Sequence, residues 1–392
     1  MTSSFDVAVV GLGGAGSAAA YHLARRGARV LGLEAAGPAN STGASHGGSR
    51  IVRMAYAEGD AFMPLLRRAH VLWDELGEEA GGPVLRCCGV LFAGRPDSEV
   101  VAATVASAAR NGLPVEVMNA DDLRRRSPLM HWPDDSTGCF DARAGVVSPE
   151  LAVGLHLMLA RRHGAELRFN TRLLGWTADG DGLCLRTDAG DCRAAHLVVC
   201  AGAWAPALVP GLPRGTITVQ RQVQHWFDVP PAQRPGLDAA NCPVHVWDDD
   251  EAGLFYSMPM LDGPGGGLKC CLELAPPATT ADAIDRTVSS AEVSVVADVL
   301  RRHAPWAGPW MRGAVCHYAG TGDNRFVVGP VADMPDVTCA FGLGGHGFKF
   351  TPAIGELVSD IVLGSAAAPF AGPFDPSRLS VMAARDVGEL VY

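Results

Sequence analysis

Runs of apolar residues bounded by glycine recur at the start, in the middle and near the end of the chain. FDVAVV at 5–10, HLVVCAGAW at 196–204 and VTCAFGLGGHGFKF at 337–350 contain continuous apolar runs, which are typical of buried β-strands. The segment SAAAYHLARRG at 17–27 predicts a helix that ends at a glycine. Because these strands come from distant parts of the chain, we expect them to build one discontinuous domain.

Further elements are predicted between these runs. Residues 164–195 have the pattern of a short β-meander, and VQRQVQHWFDV at 219–229 and LFYSMPM at 254–260 are strand-like. The latter two indicate a second, antiparallel sheet. Near the end of the chain, Thr351 and Pro352 are predicted as the N-cap and the first residue of a helix.

The first apolar run leads into a glycine motif with a known mechanical logic. Gly11, Gly13 and Gly16 have G-x-G-x-x-G spacing, and the helix, a second strand and Glu34 follow in the expected order. Gly11 permits a tight turn, Gly13 lets the backbone approach a pyrophosphate, and Gly16 lets helix and sheet pack closely. The helix N-terminus attracts phosphate, and Glu34 accepts hydrogen bonds from a ribose. The motif predicts a dinucleotide site and leaves FAD and NAD open.

The segment after Glu34 favours FAD. An NAD enzyme would usually continue with further strand–helix units, whereas residues 35–60 form a loop rich in small residues. Arg50 and Arg53 lie in this loop, three positions apart, so a helical turn would place them on one face. Their alternative interpretation is two solvated surface arginines.

Composition excludes several classes of protein. The chain has 392 residues, of which 48% are hydrophobic and 19% charged, which is typical of a globular protein with two domains. The formal net charge is −10 and no Lys or Arg block occurs, which argues against nucleic acid as a partner. No apolar run is long enough to span a bilayer, and no secretory signal is recognisable. We therefore expect a cytoplasmic protein without a membrane partner.

The 11 cysteines indicate a reducing compartment rather than a disulfide framework. No CxxC pair exists for zinc, so we expect no metal site. Cys316 lies in RGAVCHYAGT at 312–321, where it can be a core thiol, a metal ligand beside His317 or a reactive thiol. The stretch alone leaves these three interpretations open.

Several segments together resemble the monomeric sarcosine oxidase and N-methyltryptophan oxidase family of FAD-dependent amine oxidases, over essentially the full length. The matching pieces are the G-x-G-x-x-G unit, GASHGGSRIVRMAYAEGD, LKCCLEL, RGAVCHYAGT and GLGGHGFKF. The resemblance implies hydride transfer from the carbon next to the amine nitrogen to flavin N5, an imine product, and reoxidation by O2 that gives hydrogen peroxide. It also implies that FAD is attached covalently through Cys316.

The resemblance implies roles for residues around the flavin. Lys269 matches a lysine that promotes the reaction with O2, and Arg50 matches a basic residue beside the ring. His46 matches one histidine of a tandem pair, whose other member is replaced by Ser45; an ordinary loop histidine is the alternative. The full set of expected cofactor-binding residues is Gly11, Gly13, Gly14, Ala15, Gly16, Glu34, Ala35, Ser41, Ser45, Gly48, Ser49, Arg50, Leu173, Ala201, Gly202, Trp204, Cys316, Gly344, Gly345, His346, Gly347, Phe348 and Lys349.

A second set of residues is expected to bind the substrate. Arg53 and Lys349 match a basic pair that grips a carboxylate. Glu273 stands where the family has a histidine, which predicts that sarcosine is a poor substrate and that the preferred amine is larger. The alternative is that Glu273 points away from the pocket on its strand. The remaining expected substrate-binding residues are Tyr256, Phe255 and His317.

The resemblance implies an α/β fold with two domains: a Rossmann-like FAD-binding domain interleaved with an antiparallel-sheet substrate domain, glutathione-reductase-like and of the D-amino acid oxidase type. We expect residues 1–84, 147–216 and 318–392 in the first domain and residues 85–146 and 217–317 in the second. A monomer acting on a small amine and O2 is expected. The alternatives are a biosynthetic tailoring flavin dehydrogenase or oxidase of a larger or glycated amine, a non-catalytic flavoprotein, and an NAD-linked dehydrogenase.

Overall fold

The computed structural model describes residues 4–180, 182–213, 215–263, 265–365 and 372–379, so parts of the predicted segments 1–84, 147–216, 217–317 and 318–392 lie outside the described residues. The helices are α1 (Gly14–Arg25), α2 (Met63–Ala80), α3 (Glu99–Arg110), α4 (Ala120–Arg126), α5 (Pro149–Arg162), α6 (Ser290–His303) and α7 (Thr351–Val362). The strands are β1 (Ser4–Val10), β2 (Val30–Leu33), β3 (Arg50–Val52), β4 (Val90–Gly94), β5 (Glu116–Asn119), β6 (Thr137–Asp141), β7 (Gly145–Val147), β8 (Glu166–Arg168), β9 (Leu173–Asp179), β10 (Gly182–Thr187), β11 (Cys192–Val199), β12 (Thr218–Phe227), β13 (Val244–Asp249), β14 (Gly253–Met258), β15 (Leu268–Leu272), β16 (Ala278–Thr279), β17 (Trp310–Gly320), β18 (Val327–Val331) and β19 (Met334–Phe341).

The first sheet joins strands from the start, the middle and the end of the chain, as the apolar runs predict. Its order is β18-β19-β11-β1-β2-β8, and all neighbours are parallel except β18 and β19. The predicted meander is confirmed, because β9, β10 and β11 pair antiparallel at one side. Helices α1, α2, α5 and α7 pack against one another on one face.

Both faces of this sheet are buried. Val7 and Val9 of β1 belong to the core under the helices, whereas Ala8 and Val10 belong to a core on the opposite face. Successive side chains alternate between the faces of a strand, and a strand covered on both faces reads as a continuous apolar run. This packing is the physical reason why FDVAVV carries so few polar residues.

The second sheet has the order β16-β12-β15-β14-β13-β4-β6-β5, and β17 pairs with β12 along its whole length. Its neighbours are antiparallel except β13 and β4. One face packs on α4 and α6 through an apolar core, and the other face carries most of the candidate site. The expected boundaries 146/147 and 317/318 fall inside β7 and β17, because strand pairing continues across both positions.

The last helix begins one residue earlier than the sequence predicts. Thr351 is the first helical residue and Phe350 is the N-cap, so the predicted cap at Thr351 is wrong. The cause is a 3-10 turn at Gly347–Phe350 that runs directly into α7. The Thr351 hydroxyl therefore donates to the Phe348 carbonyl at 2.9 Å and does not cap the helix.

Candidate active site

A cavity of about 750 Å³ opens at the carboxyl ends of β1, β2, β11 and β19. Ligands of open α/β sheets bind at this edge. Twelve of the expected cofactor-binding residues line it: Gly11, Gly13, Gly14, Ala15, Glu34, Ala35, Ser45, Leu173, Ala201, Gly202, Trp204 and Gly344. Ten others do not line the cavity but are one to five positions in sequence from a residue that does: Ser41, Gly48, Ser49, Arg50, Cys316, Gly345, His346, Gly347, Phe348 and Lys349.

The glycine turn has the shape that a bound pyrophosphate requires. Gly11 has φ +83°, and a Cβ there would lie 2.6 Å from the Cys200 carbonyl oxygen. A Cβ on Gly16 would lie 1.8 Å from the Gly11 carbonyl oxygen, so Gly16 packs the helix onto the turn and does not line the cavity. The Glu34 carboxylate accepts from the Leu12 amide at 2.8 Å and lies on the cavity wall. This cradle fits the dinucleotide part of FAD.

Lys269 lies on β15 beside the loop of residues 46–49. Its ammonium donates to the carbonyl oxygens of Gly47 and Ser49 at 2.8 and 2.9 Å, and its side chain is buried. Lys269 is therefore an interior lysine and not a surface one. Burial lowers the pKa of Lys269 to about 7, and the Arg50 guanidinium acts in the same direction.

Arg50 and Arg53 do not share a helical turn. Arg50 is the first residue of β3, which pairs antiparallel with β7. This strand pairing takes the place of the helical turn. Its guanidinium donates to the carbonyl oxygens of Ser49 and Ala44, both at 2.7 Å. Arg50 thus closes the loop of residues 44–49, and Arg53 reaches a different part of the site.

One face of the second sheet carries five chemically active side chains, those of Tyr256, Lys269, Cys271, Cys316 and Tyr318. Strand register places Cys316 opposite Gln222, Tyr318 opposite Gln220, Lys269 opposite Trp226 and Tyr256 opposite Cys271. Residues directly opposite on antiparallel strands share a face, so all of these point to one side. Tyr256 hydrogen-bonds Cys271 and Tyr318, and Cys316 lies in the same buried group.

Two expected substrate-binding residues lie elsewhere, and both predictions are corrected. Phe255 is fully buried on the opposite face, where it stacks on Trp247 with ring centroids 5.5 Å apart. His317 follows Cys316 and therefore points to the other side of β17, where it lines the dinucleotide cavity against Trp204. The cause in each case is the alternation of side chains along a strand.

Arg53 forms an ion pair with Glu58, a residue that the sequence did not single out. The guanidinium also lies over the Tyr56 ring, 4.9 Å from its centroid. The Lys349 ammonium lies over the same ring at 5.3 Å and donates to the His346 carbonyl at 2.7 Å. The expected carboxylate-binding pair is therefore brought together, with an internal carboxylate already beside it.

Glu273 faces this cationic pair. It directly follows β15, and its Coulombic interactions with Arg53 and Lys349 place it on the side of the site, against the alternative that it points away. Burial and the Glu58 carboxylate raise the pKa of Glu273, whereas Arg53 and Lys349 oppose that rise. The site thus holds two carboxylates and two cations within electrostatic reach of one another.

The histidines near the site are neutral at pH 7. Burial, with help from Arg50, lowers the pKa of His46 to about 4. Burial, with help from Lys349, lowers the pKa of His346 to about 3, and the His346 ring hydrogen-bonds the Tyr56 hydroxyl. Burial also lowers the pKa of His317. A positive charge near the site therefore comes from lysine and arginine and not from imidazole.

Four residues of the site were missed by the sequence reasoning. Glu58 and Glu150 are acidic residues of loops or helix starts that contact the site only through the fold. Arg286 lines the dinucleotide cavity and donates to the Ser41 and Thr42 carbonyls at 3.0 and 2.6 Å. The fourth is Tyr318, which shares a parity with Cys316; that periodicity is a signal that could have found it.

The rarity of lysine in the chain is a second sequence signal, because it singles out Lys269 and Lys349. Of 32 lysine and arginine residues, only Lys269 and Lys349 are lysine. Each is 4% exposed. Burial, together with Arg53, lowers the pKa of Lys349 to about 7, while Glu58 and Glu273 oppose that change.

We predict that both lysines titrate near pH 7. Protein made with lysine labelled with ¹³C at Cε should show just two lysine side-chain signals, because the chain has two lysines. Both should change shift with midpoints at about pH 7, since burial penalises the ammonium form. Lysine-to-methionine variants assign the signals. Midpoints near the ordinary value of about 10.4 would contradict the buried placement.

Comparison with known proteins shows the family of the chain. FAD dependent oxidoreductases match residues 6–361. The chain belongs to this family. It is 42% identical to monomeric sarcosine oxidase of Streptomyces avermitilis, with 97% of this chain and 99% of the relative covered. It is 32% identical to N-methyl-L-tryptophan oxidase of Salmonella typhimurium, with 96% and 99% covered. The resemblance stated from the motifs is confirmed.

Solved structures agree in fold. NikD, an unusual amino acid oxidase essential for nikkomycin biosynthesis, superimposes with a TM-score of 0.85 at 24% identity, covering 96% of this chain and 98% of NikD. L-proline dehydrogenase from P. horikoshii gives 0.84 at 20% identity, covering 97% and 99%. The expected fold class and the expectation of an FAD-dependent enzyme are confirmed. Among the described residues, no helix is long and apolar enough to cross a membrane.

Proposed function

We propose that this chain is an FAD-dependent oxidase of a secondary amine or of an N-alkyl or cyclic amino acid, with an imine as product and O2 as electron acceptor. One observation carries the proposal: the buried Lys269 lies on the same sheet face as Cys316, and Arg53 and Lys349 lie within electrostatic reach of Glu273, which follows the strand of Lys269. When bound, FAD supplies the acceptor for the hydride. The residues of the chain position the amine, hold its carboxylate and set the local charge.

The cofactor would be held at three places. The turn at Gly11 and Gly13 and the start of α1 would receive the phosphates, and the Glu34 carboxylate would receive a ribose. Cys316 would form the covalent link. Supporting this link, Cys316 is buried on the face that carries Lys269, and Coulombic contact joins the two side chains.

Acid precipitation of the holoenzyme should leave the yellow colour in the pellet, because a thioether survives denaturation. In Cys316→Ser the colour should move to the supernatant. Cys271→Ser is the matched control, since Cys271 is a second buried thiol on the same sheet face. Its pellet should stay yellow. Colour in the supernatant of the unaltered protein would rule out the covalent link.

The substrate would carry a carboxylate. Arg53 offers a planar fork and Lys349 a point charge, and both are close to the Tyr56 ring. The Arg53 guanidinium already forms an ion pair with Glu58, so a substrate carboxylate would compete with Glu58 for the guanidinium. This competition would lower affinity for a carboxylate that brings no other contact.

Glu273 would set the size and charge of the amine. A buried carboxylate needs a cationic partner, and the pKa of Glu273 is raised by burial and by Glu58. A larger amine, such as a cyclic imino acid, an N-alkylated amino acid or a biosynthetic intermediate, would supply further contacts there. A glycated amine would be a still larger substrate of the same kind.

A peroxide-coupled screen of N-methyl and cyclic amino acids should find substrates with kcat/KM well above that of sarcosine. Glu273→His, which restores the residue type of the resembling family, should narrow the gap by raising sarcosine turnover. Glu273→Gln is the control of similar size without charge or imidazole. If sarcosine turned over as fast as the best amine of the panel, the expectation of a larger substrate would fail.

A dehydrogenase that passes electrons to a carrier is the second candidate. Its test is anaerobic: high turnover with an artificial acceptor and little peroxide in air would favour it. The buried cation of Lys269 supports O2 instead, because positive charge stabilises the superoxide that forms from O2. A monomer, a cytoplasmic location and the two-domain division given above complete the proposal.

A further inference from the structure

Glu150 touches the loop that Lys269 binds. It lies in the first turn of α5, whose N-cap is Ser148. Its carboxylate accepts from the Gly47 amide at 2.6 Å and from the Gly48 amide at 3.1 and 3.2 Å. Gly47 and Glu150 are 103 positions apart in the sequence. A charge-assisted contact of this kind fixes the loop more firmly than a neutral hydrogen bond.

The opposite side of the same loop binds Lys269. The Gly47 amide faces Glu150 while the Gly47 carbonyl accepts from the Lys269 ammonium at 2.8 Å. Gly47 has φ +98°, and a Cβ there would lie 2.0 Å from the Gln224 side-chain oxygen. The loop is therefore clamped between the carboxylate, the sheet and the ammonium, and its conformation is open only to glycine.

We propose that Glu150 is a positioning residue for Lys269: by holding the amides of Gly47 and Gly48, it presents the Gly47 and Ser49 carbonyls to the lysine. It also acts as the carboxylate that balances the lysine charge through the polarised Gly47 peptide group. The inference rests on the proposed role of Lys269 in the reaction with O2. Glu150 itself touches no reacting atom.

The charges around Lys269 support this role. After burial, the Arg50 guanidinium lowers the pKa of Lys269, whereas the Cys271 and Cys316 thiols and Glu150 raise it. Glu150 is the carboxylate in this group. His46 adds no opposing charge at pH 7, because burial lowers its pKa to about 4. Removing the Glu150 charge therefore leaves the repulsion from Arg50 without its carboxylate counterpart.

The direct test reads the charge state of Lys269 in the holoenzyme. In Glu150→Gln, the ¹³Cε signal of Lys269 should titrate at a pH lower by about one unit, because the ammonium loses a counter-charge. The signal of Lys349, which Glu150 does not contact, should keep its midpoint and serves as an internal control. Glu150→Asp keeps the charge and should keep the Lys269 midpoint nearer to that of the unaltered protein.

The matched variant is Glu99→Gln. Glu99 lies in the first turn of α3 after the N-cap Ser98, much as Glu150 follows Ser148, but it is exposed, and its helix packs on β4 and β6. It should leave both lysine midpoints in place. This control separates an effect on a helix N-terminus from an effect on the clamped loop.

The kinetic test uses the enzyme reduced anaerobically by substrate and mixed with O2. A fall of about one unit from a midpoint near 7 lowers the charged fraction of Lys269 at pH 7 from about one half to about one tenth. The rate with O2 should then fall about fivefold at pH 7 and recover at pH 5, where the lysine is protonated in both proteins.

The outcomes separate the two proposals. An unchanged Lys269 midpoint in Glu150→Gln overturns the inference, and so does an equal loss of rate at every pH. If Lys269→Met reacted with O2 at the unaltered rate, the proposed role of Lys269 would fail, whatever the result for Glu150. A slow Lys269→Met together with a shifted Lys269 midpoint in Glu150→Gln supports both.

Discussion

Lys269→Met should slow the reaction of the substrate-reduced enzyme with O2 by about 10²–10³-fold, the cost of removing one preorganised charge from a developing anion. The ammonium is held by the Gly47 and Ser49 carbonyls and is buried, so bulk water does not replace it. Methionine keeps the length and apolar stem of the side chain and removes the charge alone. The measurement is stopped-flow mixing of the anaerobically reduced enzyme with O2.

Anaerobic reduction by substrate separates this role from a general loss of function. It should change by no more than about threefold in Lys269→Met, because an interaction made only in one step affects only that step. Lys349→Met is the natural control, since Lys349 is the other lysine and equally buried. It should weaken substrate binding and leave the O2 step near its normal rate. The reverse pattern would contradict the proposed roles of Lys269 and Lys349.

Arg53→Met should lower kcat/KM for a carboxylated amine by about 10²–10³-fold, since truncating one partner of a desolvated charge pair costs about 2–5 kcal/mol. Two effects add: the substrate carboxylate loses its guanidinium fork, and Glu58 is left without its partner beside the pocket. The measurement is a steady-state assay with the best carboxylated amine. The same amine without its carboxylate should lose far less.

Two further variants sharpen this test. Arg53→Met with Glu58→Gln should recover part of the loss, because the unpaired carboxylate no longer repels the substrate. Arg126→Met is the matched control elsewhere: Arg126 also lies over an aromatic ring, Phe140, and pairs with a carboxylate, Glu116. It should leave kcat/KM unchanged. Equal losses for both amines in Arg53→Met would show that Arg53 does not bind the carboxylate.

Much of the fold could be predicted because its causes are local. The order of strand, glycine turn, helix, strand and acid depends on neighbours in the sequence, and Gly11 stands where φ is +83°. The apolar runs reflect burial of the parallel sheet on both faces. The resemblance predicts Lys269, Cys316, Arg53 and Lys349 around one site. Lys269, Cys316 and Lys349 are buried, and Arg53 and Lys349 lie over the same Tyr56 ring.

Part of the site could not be predicted because it depends on which face of a strand a residue occupies. Phe255 and Tyr256 are adjacent aromatic residues, and only the pairing of Tyr256 with Cys271 decides that Tyr256 faces the site. Cys316 and His317 are separated in the same way by the register of β17 on β12. A shift of one residue exchanges the faces, and the register is set by strands far apart in the sequence.

The sequence by itself determined the dinucleotide turn, the discontinuous layout and the residue types of the site, because each depends on a local pattern or on a matched motif. Only the tertiary structure decided that Arg53 pairs with Glu58 and that Glu150 clamps the loop bound by Lys269. The first contact depends on the course of the loop that carries both Arg53 and Glu58, and the second joins groups 103 positions apart. Several other carboxylates would satisfy the sequence equally well. Folding selects one of them by distance and burial, which the linear order of residues does not contain.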